Sequence, residues 1–166
     1  MDEPGTTEPI VAVASGGNEF IARLVEMTRT ARLQISVFSQ ALERRVYGNE
    51  DFLAALQRFL LQHERARLRV LVRTPEAAMR SGHRLIELGR KLSSRVEFRE
   101  LLPEHRLIER EYIVADERSL LLRESPQEID ARYYSNSPML AREQLREFEN
   151  LWQESPPVAD FRDLKI

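Results

Sequence analysis

The chain contains no cysteine. That excludes disulfide stapling, a thiol nucleophile and thiolate metal ligation. Lysine is also scarce, because 23 of the 25 basic residues are arginine and only Lys91 and Lys165 remain. No apolar run exceeds six residues, so no membrane-spanning helix is predicted. The N-terminal MDEPGTTEP is acidic and lacks the basic start and apolar stretch of a secretion signal, so a cytoplasmic location is expected. With only 6 glycines, the chain has few glycine-based phosphate or nucleophile motifs to offer. Gly16-Gly17 precedes no Gly-Lys-Ser/Thr, and Ser81 lies in no nucleophile elbow.

What is there reads as globular. The 166 residues are 42% hydrophobic and 31% charged, enough for one domain with a sizeable core and too apolar for a disordered chain. The formal net charge is -2, but its placement is uneven. Residues 51–100 hold 11 basic and 6 acidic residues, whereas 101–166 hold 9 and 14. A nucleic-acid domain is usually basic overall or carries a dense basic stripe, and this chain shows neither. Complementary faces within one fold, or head-to-tail complementarity in an oligomer, explain the asymmetry more simply.

Hydrophobic periodicity predicts the elements. Residues 1–17 read as a flexible arm or edge strand, with IVAVA (10–14) as the strand. A helix is expected from an Asn18 cap to about Ala31, then a buried strand LQISVF (33–38) and turn signals around Gly48-Asn49. A second amphipathic helix spans about Glu50–Arg65, followed by strand LRVLV (68–72). A helical stretch over 76–93 is interrupted in pattern by Gly82 and Gly89. VEFRE (96–100) is a third strand, and REYIVAD with SLLLRE forms a hairpin turning at Asp116, Glu117 and Arg118. RYYSN (132–136), a helix over 138–154 and an irregular tail from 156 to 166 complete the chain. This rhythm predicts an α/β fold, a mixed central sheet flanked by helices on both sides, occupying residues 18–155.

Several segments also resemble a known family: MTRTARLQISVFSQAL (27–42), FLAALQRFLL (52–61), ARLRVLV (66–72), SGHRLIELGRKLSSRVEFR (81–99), EYIVADERSLLLR (111–123) and YYSNSPMLAREQLREFENLW (133–152). Together they resemble a single half of the phospholipase D-like superfamily. More closely, they resemble an uncharacterised bacterial domain family of that fold, also found appended to acetyltransferases. The resemblance implies a His-x-Lys-x(4)-Asp signature in active members, a phosphohistidine intermediate, and two copies meeting across a two-fold axis. The best register puts the signature aspartate at Asp116, the histidine position at Glu109 and the lysine position at Glu111. Two carboxylates there would repel the phosphate that histidine and lysine hold. His105 is four residues upstream of the histidine position, off the required spacing.

The remaining candidates are weighed from the residues. Arg67, Arg69 and Arg73 share one strand parity and Leu68, Val70 and Val72 the other. The arginine side must therefore face solvent, a cleft, a partner or paired carboxylates. Ser81-Gly82-His83-Arg84 reads as a turn at a helix start, where His83 and Arg84 form either a structural cap or an anion site. Glu109, Glu111 and Asp116 do not form a convincing metal set, because Asp116 lies at odd offset from the others. Trp152, in phase with Leu145 and Phe148, reads as a core or interface residue, and of the adjacent Tyr133 and Tyr134 one should point inward and the other outward, so none is read as a base-stacking platform.

The expected function is accordingly a non-catalytic phospholipase D-like domain, a protein-association or regulatory binding module, with no catalytic residue, cofactor or metal. A homodimer is the expected assembly, a protein partner is left open, and no membrane partner is expected. Nucleic-acid or phosphate-ligand binding through Arg67, Arg69, Arg73, His83 and Arg84 is the alternative, and a divergent phosphodiesterase the second.

Overall fold

The computed structural model describes residues 11–162 apart from Gly82, Pro126 and Ile129. Seven strands form one mixed sheet: β1 (Val11–Ser15), β2 (Gln34–Ser39), β3 (Arg67–Val72), β4 (Val96–Glu100), β5 (Glu111–Ala115), β6 (Ser119–Arg123) and β7 (Asp130–Tyr134). Their spatial order is β1-β7-β6-β5-β2-β3-β4. β2, β3 and β4 pair in parallel, whereas β5 lies antiparallel to both β2 and β6. β2 is central and buried on both faces after its first residue, as its near-continuous apolar run requires.

Strand alternation divides the core in two. Ile35, Val37, Leu68, Val70, Val72, Ile113 and Leu121 face one layer, built from α1 (Gly16–Thr30), α2 (Arg44–Tyr47), α3 (Glu50–Gln62), α4 (Pro75–Ser81), α5 (His83–Lys91) and the short α7 (Ala159–Arg162). Phe38, Leu71, Tyr112, Val114 and Leu120 face the other, where α6 (Pro138–Glu154) packs Ala141, Phe148, Leu151 and Trp152. A mixed sheet with helices on both faces is thus the observed architecture.

Several local expectations shift. α1 begins after Ser15, whose N–H donates to the Glu19 carboxylate at 2.8 Å; Asn18 lies inside the helix and accepts from Arg45 instead of capping. Asn49 is the side-chain cap that does form, accepting from the Phe52 N–H at 3.0 Å. α3, expected to run to about Arg65, stops at Gln62, and the His63 ring accepts from the Arg65 N–H at 3.1 Å. The stretch after Thr74 is helical over Pro75–Ser81 and His83–Lys91, and Gly82 between them lies outside the described residues. Finally, the segment expected to be irregular pairs with the sheet: Glu100 donates to the Pro156 carbonyl, Val158 donates to the Phe98 carbonyl, and Val158 and Phe161 are buried. It covers the open edge of β4, the liability of any terminal strand.

Gly89 sits where α5 crosses β4. A Cβ there would meet Phe98 Cε2 at 2.5 Å. Phe98 cannot swing aside, because its ring is held edge-on against Phe161 with centroids 5.3 Å apart. Gly89→Ala should therefore cost about 1–3 kcal/mol despite alanine's better helix propensity. Urea unfolding checks this; an unchanged midpoint would show that the packing yields.

Candidate functional site

The antiparallel insertion of β5 between β2 and β6 brings the end of β2, the start of β5 and the end of β6 to one edge of the sheet. Glu111 opens β5 there and is only 8% exposed. Its carboxylate accepts from Arg123 Nη2 at 2.7 Å, from the Gln40 N–H at 2.8 Å and from the Ser39 hydroxyl at 3.5 Å. Glu111 and Arg123 are direct partners in the β5–β6 register. Arg123 also lies over the Phe20 ring at 5.1 Å and reaches Glu43 at 4.0 Å. Ser39 Oγ in turn accepts from the Leu42 N–H at 3.0 Å, helping to hold Leu42 at a positive φ of 51°. The buried charge is therefore matched by a guanidinium of the same chain and by oriented donors, as an interior carboxylate requires.

Tyr47 lies beneath this cluster, fully buried. Burial first, and then the negative charge of Glu111, raise its hydroxyl well above the ordinary tyrosine range. Burial likewise raises Tyr112, with the charge of Glu147 next, and Tyr133, with its hydrogen bond to Glu26 next. A tyrosine that stays neutral when folded but ionises when unfolded releases its proton on unfolding. Stability is then constant below the unfolded value, about pH 10. Above it, each such tyrosine lowers stability by about 1.4 kcal/mol per pH unit until its folded value is reached. Denaturant unfolding at about pH 9 and about pH 11 should show this loss, with the phenolate absorbance of these three tyrosines appearing on unfolding. Free titration of these three in the folded chain would refute it.

The three signature positions do not form one site. Glu109 is exposed at the same edge as Glu111, with its carbonyl accepting from Gln40 Nε2 at 3.3 Å. Asp116 lies at the far end of β5, roughly 17 Å away by strand rise. There its carboxylate accepts the backbone N–H groups of Arg32, Leu33 and Gln34 at 2.6, 2.8 and 3.0 Å. Asp116 and Glu117 both have φ of 53°, and Arg118 N–H closes the turn on the Ala115 carbonyl at 3.0 Å. That is the positive-φ pair a tight hairpin turn needs. His105 pairs with Glu154 on α6 at 2.8 Å.

The arginines named from sequence are also dispersed. Arg67 and Arg73 flank opposite ends of β3. Arg67 donates to the Glu64 and Ala66 carbonyls, and Arg73 to the Gln40 side chain at 2.8 Å. Arg69 is covered by α6, bonded to Ser36 and Glu149 and lying over the rings of Phe148 and Trp152 at 4.9 and 5.5 Å. Arg84 sits in the other helical layer and donates to the Gly48 carbonyl at 3.2 Å. The His83 side chain lies outside the described residues. Tyr133 points inward, donating to Glu26, and Trp152 stacks on Phe148 in the core. Among the described residues no group of three His, Asp or Glu is placed to hold a metal ion. No helix among them is long and apolar enough to cross a membrane.

Sequence reasoning missed Arg123, Ser39, Gln40 and Tyr47. The first was findable, since a hairpin turning at 116–118 sets Glu111 opposite Arg123. The others reach Glu111 across a strand pairing that no local pattern encodes.

The sheet order and helix placement define a phospholipase D-like fold. Nuc of Salmonella typhimurium, a phospholipase D family member, aligns at 13% identity with a TM-score of 0.66, covering 91% of this chain and 99% of that one. NucT of Helicobacter pylori aligns at 7% identity and 0.61, covering 91% and 100%. TrmBL2, an archaeal chromatin protein described as showing a novel mode of DNA binding, aligns at 14% identity and 0.63 over 92% of this chain and 56% of that one. At such identities the likeness shows the fold alone. Within that fold, the chain belongs to the family described as a domain of unknown function (DUF7931), which matches residues 17–164. No curated protein matches it.

Proposed function

We propose that this chain is a non-catalytic phospholipase D-like domain that serves protein association, assembling as a homodimer. The observation that carries the reading is the buried Glu111–Arg123 pair. It fills the place where the resemblance expects a lysine to receive phosphate, with a carboxylate already satisfied from within the chain. A phosphodiester approaching that edge meets the exposed Glu109 and, in place of the lysine that the resemblance expects, the Glu111 carboxylate. The nucleic-acid alternative has less support, because its arginines are spread over both layers and both ends of β3.

Leu107 favours association. It is 94% exposed, on the β4–β5 connection that leads to the same edge. Assay of bis(p-nitrophenyl) phosphate hydrolysis should give no turnover above buffer, and sedimentation should show a dimer. Leu107→Glu should weaken that dimer at least about ten-fold. Turnover lost on Glu111→Gln would overturn the non-catalytic reading, and a monomer at all concentrations would overturn the association.

A further inference from the structure

At the sheet edge opposite Glu111, a cleft of about 910 Å³ opens between the α1–β2 connection, the β5–β6 turn and the segment joining β7 to α6. Its volume lies within the range of small-molecule sites, about 300–1,000 Å³. Three acids border it, and each is engaged by its own chain. Glu26 receives the Tyr133 hydroxyl at 2.9 Å and Arg23 at 3.4 Å. Asp116 receives three backbone N–H groups, and Glu117 lies 3.7 Å from Arg142.

Two cations on the same walls are not engaged. Arg32 and Arg118 are exposed to the cleft, and neither guanidinium has a hydrogen-bond or ion-pair partner among the described residues. Asn136 also lines the cleft, and α6 begins two residues beyond it with no side-chain cap on its first N–H groups. A 17-residue helix opening there adds positive potential to the rim. At the other rim α1 ends, and the Thr30 hydroxyl and the Ala31 N–H both donate to the Met27 carbonyl.

We propose that this cleft binds a small molecule bearing a multiply charged oxyanion, a phosphate ester or a polycarboxylate, clamped by Arg32 and Arg118. Guanidinium forks are suited to bidentate contact with either group. The cleft exceeds what the anion alone needs. The body of the ligand would lie along the half-exposed Leu33 on one side and the polar Ser135 and Asn136 on the other. The site uses neither Glu111 nor Arg123, so it stands or falls separately from the reading above.

Calorimetric titration of the full chain with pyrophosphate and, separately, with citrate distinguishes the two sources of charge. Saturable binding of at least one probe is expected, weakened about ten-fold by Arg32→Gln or Arg118→Gln and about a hundred-fold by both. Arg84→Gln, in the other helical layer, should leave it unchanged. In the unmodified chain, amide shifts on probe addition should centre on Arg32–Gln34 and Arg118–Ser119. No saturable binding of either probe, equal binding by the double variant, or shifts centred on Arg123 would each overturn the proposal.

Discussion

Arg123→Met should destabilise the chain by about 3–5 kcal/mol, the typical cost of removing one member of a buried ion pair. The reason is what stays behind. Glu111 keeps its Gln40 N–H and Ser39 hydroxyl, but it loses the one short contact with a positive charge that it has among the described residues, while remaining on a strand with 8% exposure. Methionine puts an apolar side chain of similar length beside the Phe20 ring that the guanidinium covers, so the loss reports the charge more than a cavity. For a chain of this size the thermal midpoint should fall by roughly 10 °C. The informative partner is the double variant Glu111→Leu/Arg123→Met, which removes both charges and should recover most of the loss. A double variant as unstable as the sum of its singles would show that the pair is not coupled. Recovery of the fold without its ion pair would also leave an apolar edge at the place the resemblance assigns to phosphate.

The second large effect is expected at Asp116. Asp116→Ala removes an anionic acceptor shared by three backbone N–H groups and puts alanine at a φ of 53°. Hydrogen bonds to charged groups contribute about 1.5–3 kcal/mol each, though the outermost donors are exposed and water replaces part of that contribution. A net loss of about 3 kcal/mol is expected, measured by denaturant unfolding. Asp116→Asn should cost less than half as much, because asparagine tolerates the left-handed region and keeps one acceptor oxygen. Hydrogen exchange should quicken at Arg32, Leu33 and Gln34 in the alanine variant before it changes elsewhere. Equal losses in both variants would argue that the charged carboxylate, and not the turn conformation, sets the cost.

These two residues also show how far the sequence could be read. All the larger elements follow from apolar periodicity, because each buries one face and repeats at its own period. The misses are short. α2 spans Arg44–Tyr47 and α7 spans Ala159–Arg162, four residues each, too few to display a period. The Asn18 cap was a reasonable local expectation, but the helix begins earlier, after Ser15, whose own N–H donates to the Glu19 carboxylate. At the site, the pairing of Glu111 with Arg123 was implicit in the hairpin, since the turn at 116–118 determines the register. The task of Asp116 was not. Its partners lie more than eighty residues away, and only the β2–β5 pairing brings them to it.

The arginines make the same division visible. Strand parity alone set Arg69 on the side away from Leu68, Val70 and Val72, and in the structure α6 lies over Arg69 while those three face the other layer. Parity could not say that α6 would cross over Arg69 and supply Glu149, Phe148 and Trp152, because α6 follows some seventy residues later. Nor could it single out Arg32 and Arg118, two unremarkable loop arginines until the sheet sets their loops side by side. The lack of cysteine, the scarcity of lysine, the α/β rhythm and the spacing of Glu109 and Glu111 are properties of the chain read in order. Which charges are spent internally and which remain open is a property of strand order. It was decided only by tertiary structure, because a charge is neutralised by what lies within a few ångströms of it, whatever its distance along the chain.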